Sequence, residues 1–187
     1  SDEFQGFTSI FFSHLTETMD NPVYPGSGIR LEAVASWAPL MTHKHLSVVC
    51  DFEGAVPFLR KGTFVLNVWG QLLAGTTWDW QESMLSASRS IPGMPYNSLP
   101  SRQRIAGLAS FRRKLNGPFF LSMEAGTVCD WESPLEMESS EWTYGAGLSA
   151  GLDTPMGLAS VSWGWSSEFH NRWIVSVGSS STYGPGR

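Results

Sequence analysis

The chain has 187 residues and a net charge of −5, and only 16% of it is Asp, Glu, Lys or Arg, against roughly 25% in an ordinary soluble domain. The length suits one domain with a sizeable core. The acidic balance lacks the basic footprint that binding nucleic acid requires, and no apolar run approaches the roughly 18 residues of a membrane-crossing helix.

Period-two patterning runs through almost the whole sequence. Residues Phe4 to Leu15 form a first, mixed strand. Ile29, Leu31, Ala33, Ala35 and Trp37 then alternate with Arg30, Glu32 and Ser36. Leu46, Val48, Cys50, Phe52, Val56 and Phe58 alternate with Ser47, Asp51 and Glu53. The next strand is less clean: Phe64, Leu66, Val68, Leu72 and Ala74 share their segment with Val65, Trp69 and Leu73 on the other face. Ile105, Ala109 and Phe111 are followed by Phe119, Leu121, Met123, Ala125 and Cys129, which alternate with Ser122, Glu124 and Asp130. Trp142 leads into Tyr144, Ala146, Leu148, Ala150 and Leu152, set against Thr143, Gly145, Gly147, Ser149, Gly151 and Asp153. Ala159, Val161, Trp163 and Trp165 face away from Ser160, Ser162 and Gly164. Trp173, Val175 and Val177 close the series against Arg172, Ser176 and Gly178, with Ile174 as an exception.

These make about nine strands of roughly ten residues, the length a tilted strand needs to cross a bilayer. No segment shows a helical period. The aromatics Trp37, Phe58, Trp78, Trp80, Trp131, Trp142, Trp163, Trp165 and Trp173 cluster near strand ends, where interfacial girdles place amphipathic rings. Connections alternate between tight (59–62, 116–118, 153–157) and long or polar (39–45, 75–103, 130–141, 166–171). The expectation is an all-β chain, an antiparallel transmembrane β-barrel or part of one, spanning 1–187 as a single domain. In lipid an unpaired backbone group costs several kcal/mol, so such a sheet must close. An odd number of antiparallel strands cannot close on itself with every pair antiparallel. Either one strand is miscounted, or the segment is part of a larger barrel. The chain opens S-D-E-F-Q-G-F without an initiator Met and reads as a fragment or mature segment, so the missing signal peptide says nothing about compartment.

Several stretches resemble the bacterial surface antigen family, the sixteen-stranded barrels of outer-membrane assembly and secretion proteins. Y-G-A-G-L-S-A-G-L-D-T-P-M-G-L-A-S-V-S-W-G-W (144–165) followed by R-W-I-V-S-V-G-S-S-S (172–181) is similar to the last three strands of that family. Its turn, Asp153, Thr154, Pro155, Met156 and Gly157, resembles the family's T-P-x-G turn, and Gly178 falls in its final S-x-G strand. Asp20, Asn21, Pro22, Pro25 and Gly28 fall on the D-N-P-x-x-P-x-x-G turn. Residues 90–115 occupy the place of the loop that folds into the barrel, with Gly93 and Tyr96 in it, and look most like the branch that follows a patatin-like phospholipase domain. Where the assembly branch has V-R-G-F, this chain reads I-P-G-M (91–94), so only the glycine is shared.

The resemblance implies the C-terminal portion of a larger barrel in a bacterial outer membrane, anchoring or exporting an N-terminal domain such as a patatin-like lipase absent from this chain. Its implied partners are outer-membrane lipids, the barrel-assembly machinery during insertion, and a second copy or missing strands to close the barrel. A polypeptide-transport barrel of the same family and a soluble barrel with an apolar ligand inside are the alternatives.

G-L-S-A-G (147–151) matches the hydrolase pattern G-x-S-x-G, with Asp153 and His170 following in triad order. A nucleophile elbow needs a strand, a sharp turn and a helix, whereas alternation here continues through Leu152. The segment is therefore read as non-enzymatic. His43 and His45 have no third ligand nearby, and the acidic run from Asp130 to Glu141 reads as a solvated loop. The two cysteines, Cys50 and Cys129, lack a C-x-x-C spacing and read as buried or lipid-facing thiols. Arg112, Arg113 and Lys114 are placed at the periplasmic end of a strand, within reach of lipid phosphates, and Arg102 and Arg104 near the opposite rim. No cofactor and no metal are expected.

Overall fold

The computed structural model describes residues 10–20, 26–38, 45–58, 61–75, 91–95, 101–115, 117–131, 140–154 and 157–178. They form nine strands: β1 Ile10–Glu17, β2 Gly28–Ala38, β3 His45–Pro57, β4 Gly62–Gly75, β5 Gln103–Lys114, β6 Phe119–Trp131, β7 Glu141–Thr154, β8 Gly157–Ser166 and β9 His170–Gly178. All nine join in chain order into one sheet, and every neighbouring pair is antiparallel. The fold is all-β, as the alternation implies. Most strands place β-branched, aromatic or leucine side chains on one face of the pleat and small or polar ones on the other.

The two faces are inverted relative to a soluble sheet. Leu148, Val161 and Val175 are 52%, 46% and 73% exposed, while Asp51, Glu53, Asn67, Gln71 and Arg104 are buried. Register fixes the assignment. Leu31, Phe52 and Val68 lie in one outward row, and their neighbours Glu32, Asp51 and Trp69 in the adjacent inward row. Val65, Trp69 and Leu73, which blur the pattern in β4, are inward and buried. Trp69 belongs to a small interior cluster with Ile91, Met94, Ala106 and Val128.

The strands are tilted. One hydrogen-bonded row runs Val56, Phe64, Phe111, Met123, Leu148, Trp163, Trp173. It begins beside the turn after Phe58 and ends beside the turn before His170, at the opposite rim. A row that climbs from one rim to the other across seven strands is the stagger of a barrel wall. The wall is open: among the described residues β1 pairs only with β2, and β9 only with β8. Both are odd-numbered, so they run in the same direction, and direct pairing between them would be parallel. All of β1 is exposed, including the inward Phe11 and Leu15.

Three expectations change in detail. Asp130 and Glu141, read as the ends of a solvated acidic loop, are strand residues of β6 and β7 that pair with each other. The stretch 166–171, read as a long polar loop, is a turn of Ser167, Glu168 and Phe169, because Ser166 and His170 pair with each other as strand ends. His45, read as a loop residue, is the buried first residue of β3. His43, Trp78, Trp80 and the first nine residues lie outside the described residues.

The β1–β2 hairpin is closed by Asp20, whose Oδ1 accepts hydrogen bonds from the backbone N–H groups of Gly26 (2.8 Å) and Ser27 (3.0 Å). Thr18 and Ile29 are bonded through backbone and hydroxyl alike. Between these contacts Gly28 adopts φ 116°, and a Cβ there would lie 2.8 Å from Met19 Cα. Gly28→Ala is expected to destabilise the fold by about 1–3 kcal/mol, measured as a lowered denaturant midpoint by tryptophan fluorescence. An unchanged midpoint would show that the hairpin tolerates another path.

Candidate functional site

The inner wall around β4–β8 carries buried polar groups, among them Asn67, Gln71, Arg104, Ser110 and Ser122, and a seated loop. Residues 91–95 come from the long connection between β4 and β5 and lie against this wall. Met94 N–H donates to the Ile91 carbonyl at 3.1 Å, which folds the segment into a tight turn at Pro92–Gly93. Ile91 and Met94 are buried against Trp69, Ala106 and Val128, with Leu108 and Phe169 packed on the cluster.

The wall is shaped for this loop by glycines on consecutive strands. A Cβ on Gly126 of β6 would lie 3.0 Å from Ile91 Cγ2, and one on Gly147 of β7 would lie 2.8 Å from Pro92 Cβ. Gly145 would collide with the Pro92 carbonyl, and Gly164 of β8 with the Gly93 amide. Gly93 itself has φ 84°, with the backbone of Trp165 and Ser166 directly behind it. The small, polar face read from the sequence is thus a bed for backbone approaching backbone.

Polar contacts fasten β5 to its neighbours on the same wall. The Arg104 guanidinium forks onto Asp130, Nε to Oδ1 at 2.6 Å and Nη2 to Oδ2 at 3.2 Å. The Gln103 side chain grips the backbone of Leu73, accepting from its N–H (3.1 Å) and donating to its carbonyl (2.6 Å). Arg102 Nη2 donates to the Gly75 carbonyl at 2.6 Å. These bonds return the long connection to the sheet in register. Thr143 Oγ1 donates to Glu168 Oε2 at 3.2 Å and ties the last turn to the wall. Toward the other rim Ser149 and Ser122 share a short hydroxyl–hydroxyl contact, and the Ser122 hydroxyl also reaches Glu124 Oε1 at 3.4 Å. A cavity of about 120 Å³ lies between Pro92, Gly93, Glu124, Ser149, Ser162 and Ile174. Ile174, the exception in β9, is inward and forms part of its lining.

This geometry separates the apparent triad. Ser149 is level with Ser162, and Ser162 with Ile174. His170 lies four residues from Ile174 toward one rim, and Asp153 four residues from Ser149 toward the other, about 13 Å along the strands in each direction. The Ser149 hydroxyl has another serine as its partner and no imidazole beside it. Among the described residues no three His, Cys, Asp or Glu side chains gather in a metal-binding arrangement.

The sequence-predicted motif residues do not form one site. Asp20 and Gly28 build the β1–β2 turn. Asp153, Thr154 and Gly157 form the end of the β7–β8 hairpin, where Thr154 pairs with Gly157, and Gly178 pairs with Leu158 at that same rim. Only Gly93 is on the inner loop. Asn21, Pro22, Pro25, Tyr96 and Pro155 lie outside the described residues. Sequence reasoning missed Arg104–Asp130 as a pair and Trp69, Ile91 and Met94 as a cluster. Their signals were a charge on the small face of each strand and large apolar residues on both faces of β4. No protein-family model matches the chain, and none of the curated proteins is significantly similar to it.

Two outcomes test the seated loop and its anchors. Gly164→Val places a side chain where Gly93 sits. It is expected to lift the 91–95 segment and raise proteolytic cleavage there at least severalfold while strand content by circular dichroism is kept. Arg104→Met strands the Asp130 carboxylate and is expected to cost about 3 kcal/mol in denaturant unfolding, with much of the loss recovered in Arg104→Met/Asp130→Leu.

Proposed function

We propose that this chain is a wall-forming segment of an outer-membrane β-barrel that anchors the polypeptide in the membrane and is not itself a catalyst. The observation that carries this reading is the inverted amphipathicity. Large apolar side chains cover the exposed face of consecutive strands, and carboxylates, amides and hydroxyls line the buried one. A soluble barrel with an apolar ligand requires the opposite arrangement, since its exterior normally carries about 25–35% charged residues.

Other features support the same reading. The strands run up to 14 residues, which exceeds the five or six common in soluble sheets. Exposed Trp37, Trp142 and Trp165 sit at the rim of the longer connections, and exposed Phe58 and Phe119 at the rim of the tight turns. Two aromatic belts of this kind flank the apolar band of membrane barrels. The open edges of like direction call for an odd number of further strands to close an all-antiparallel barrel. That agrees with a segment of a larger barrel, completed by strands from elsewhere. The seated 91–95 loop occupies the inner wall and favours an anchor over a conduit for polypeptide. The assignment of the anchored domain to a patatin-like lipase rests on the motif resemblance alone.

The chain is expected to remain in the membrane fraction after alkaline wash, to require detergent for extraction, and to migrate differently on gels before and after heating. Recovery as a soluble monomer without detergent would refute the proposal. In phospholipid vesicles Val161→Arg is expected to cost about 2–4 kcal/mol in urea unfolding. Ser162→Arg, one residue along and on the opposite face, is expected to cost far less.

A further inference from the structure

The outward face is almost free of charge. Among the described residues of the nine strands, the register places a single ionised side chain on it, Arg113 of β5. Arg112 and Lys114, its chain neighbours, belong to the inward face. Arg113 is exposed, and its guanidinium makes no ion pair or hydrogen bond to another described residue. An uncompensated guanidinium on an apolar wall is costly at hydrocarbon depth, so its position at the tight-turn end of β5 matters.

Arg113 also stands at the end of a groove. A hollow of about 670 Å³ runs over the outward face from Arg113 and Leu121 past Leu148, Ala150 and Val161 to Trp173. Its floor is low because Ala150 sits between Leu121 on β6 and Val161 on β8. A second hollow, floored by Ala150 and Ala159, adjoins it. From β5 to β9 the groove crosses four strand spacings, about 19 Å. Because the strands tilt, this path does not stay at one depth. It starts one residue from the end of β5 at the tight-turn rim and climbs toward the opposite rim, reaching Trp173 three residues from the start of β9.

We infer that the groove with Arg113 is a binding site for an acidic phospholipid, whose phosphate pairs with the guanidinium and whose acyl chain lies along the apolar channel. The inference rests on the membrane-barrel reading above and adds to it a defined site and ligand class. Charge selects the occupant: one cation at the mouth and none of either sign along the rest of the channel fit an amphiphile with an anionic head and a hydrocarbon tail. Depth selects the leaflet. In outer-membrane barrels the tight turns face the periplasm, and Arg113 lies at that rim, at headgroup level. A strand-end arginine that merely snorkels to water needs no groove leading away from it.

The test uses the 187-residue chain in phosphatidylcholine vesicles containing trace spin-labelled phosphatidylglycerol or spin-labelled phosphatidylcholine, with the motionally restricted lipid read by electron paramagnetic resonance. The wild-type chain is expected to prefer phosphatidylglycerol roughly fivefold, the preference that one interfacial cation confers. Arg113→Gln brings the two lipids close to parity, Arg113→Lys keeps most of the preference, and Ala150→Phe reduces the restricted fraction of both. Flotation with the vesicles and heat-modifiable migration verify that each variant is inserted. An unchanged preference in Arg113→Gln overturns the inference and leaves the barrel reading standing. So does an equal loss in Lys114→Gln, which would assign the effect to the charge of the whole rim. Failure of the wild-type chain to float with vesicles overturns both.

Discussion

A peptide group that leaves water must find its hydrogen-bond partner within the protein, and this chain meets that demand by strand pairing. Each of the seven inner strands is bonded along both sides, and each ladder keeps its register over eight to thirteen residue pairs without interruption. That continuity is what allows a hydrophobic face to point outward. A sheet whose ladders were broken by bulges or prolines would expose polar backbone on the same surface that carries Leu148 and Val175. The same ladder fixes which residues turn inward, because a slip of one position would exchange the two faces.

Given that constraint, the interior is built by making the wall thin where something must lie against it. Gly126, Gly145, Gly147 and Gly164 remove side chains from a patch spanning three strands, and Ile91 to Met94 fill the space that those side chains would occupy. Trp69, Ala106 and Val128 provide the apolar contact for Ile91 and Met94, while Arg104–Asp130 and the Gln103 amide hold the returning chain. The result is a local apolar core on an inner wall that also carries buried polar groups. It explains why the inner wall is not uniformly hydrophilic.

Much of the wall was legible in the sequence because alternation is a local property. Leu148 and Ser149 declare opposite faces without reference to any other strand, and the same alternation places Ser149 within a regular strand rather than on a strand–turn–helix elbow. The number of strands and their antiparallel order followed from the spacing of turns. Properties that depend on register were not legible. Arg104 meets Asp130 only because β5 and β6 align in one of several available ways, and polar composition alone could not show that Ser166 and His170 pair across a three-residue turn. Trp69 signalled an anomaly on the inner face of β4, but its cause lies at Ile91 and Met94, on a connection too far along the chain for periodicity to reach. The lowered floor at Ala150 and the ascent of the groove depend on tilt, which one strand read alone does not contain.

The order of the sheet also sets how it can be assembled. Every large set of contacts joins strands adjacent in sequence, so each hairpin can form on the edge left by its predecessor without waiting for distant segments to meet. Such topology keeps the loop-closure entropy of each step small and favours fast, stepwise growth. The longest closure is at β4–β5, whose connection must swing its middle back against β6, β7 and β8. Strands β6 to β8 supply the glycine bed, so residues 91–94 can settle only after strands synthesised later have joined, and the stowing of that segment becomes a late event in maturation of the wall.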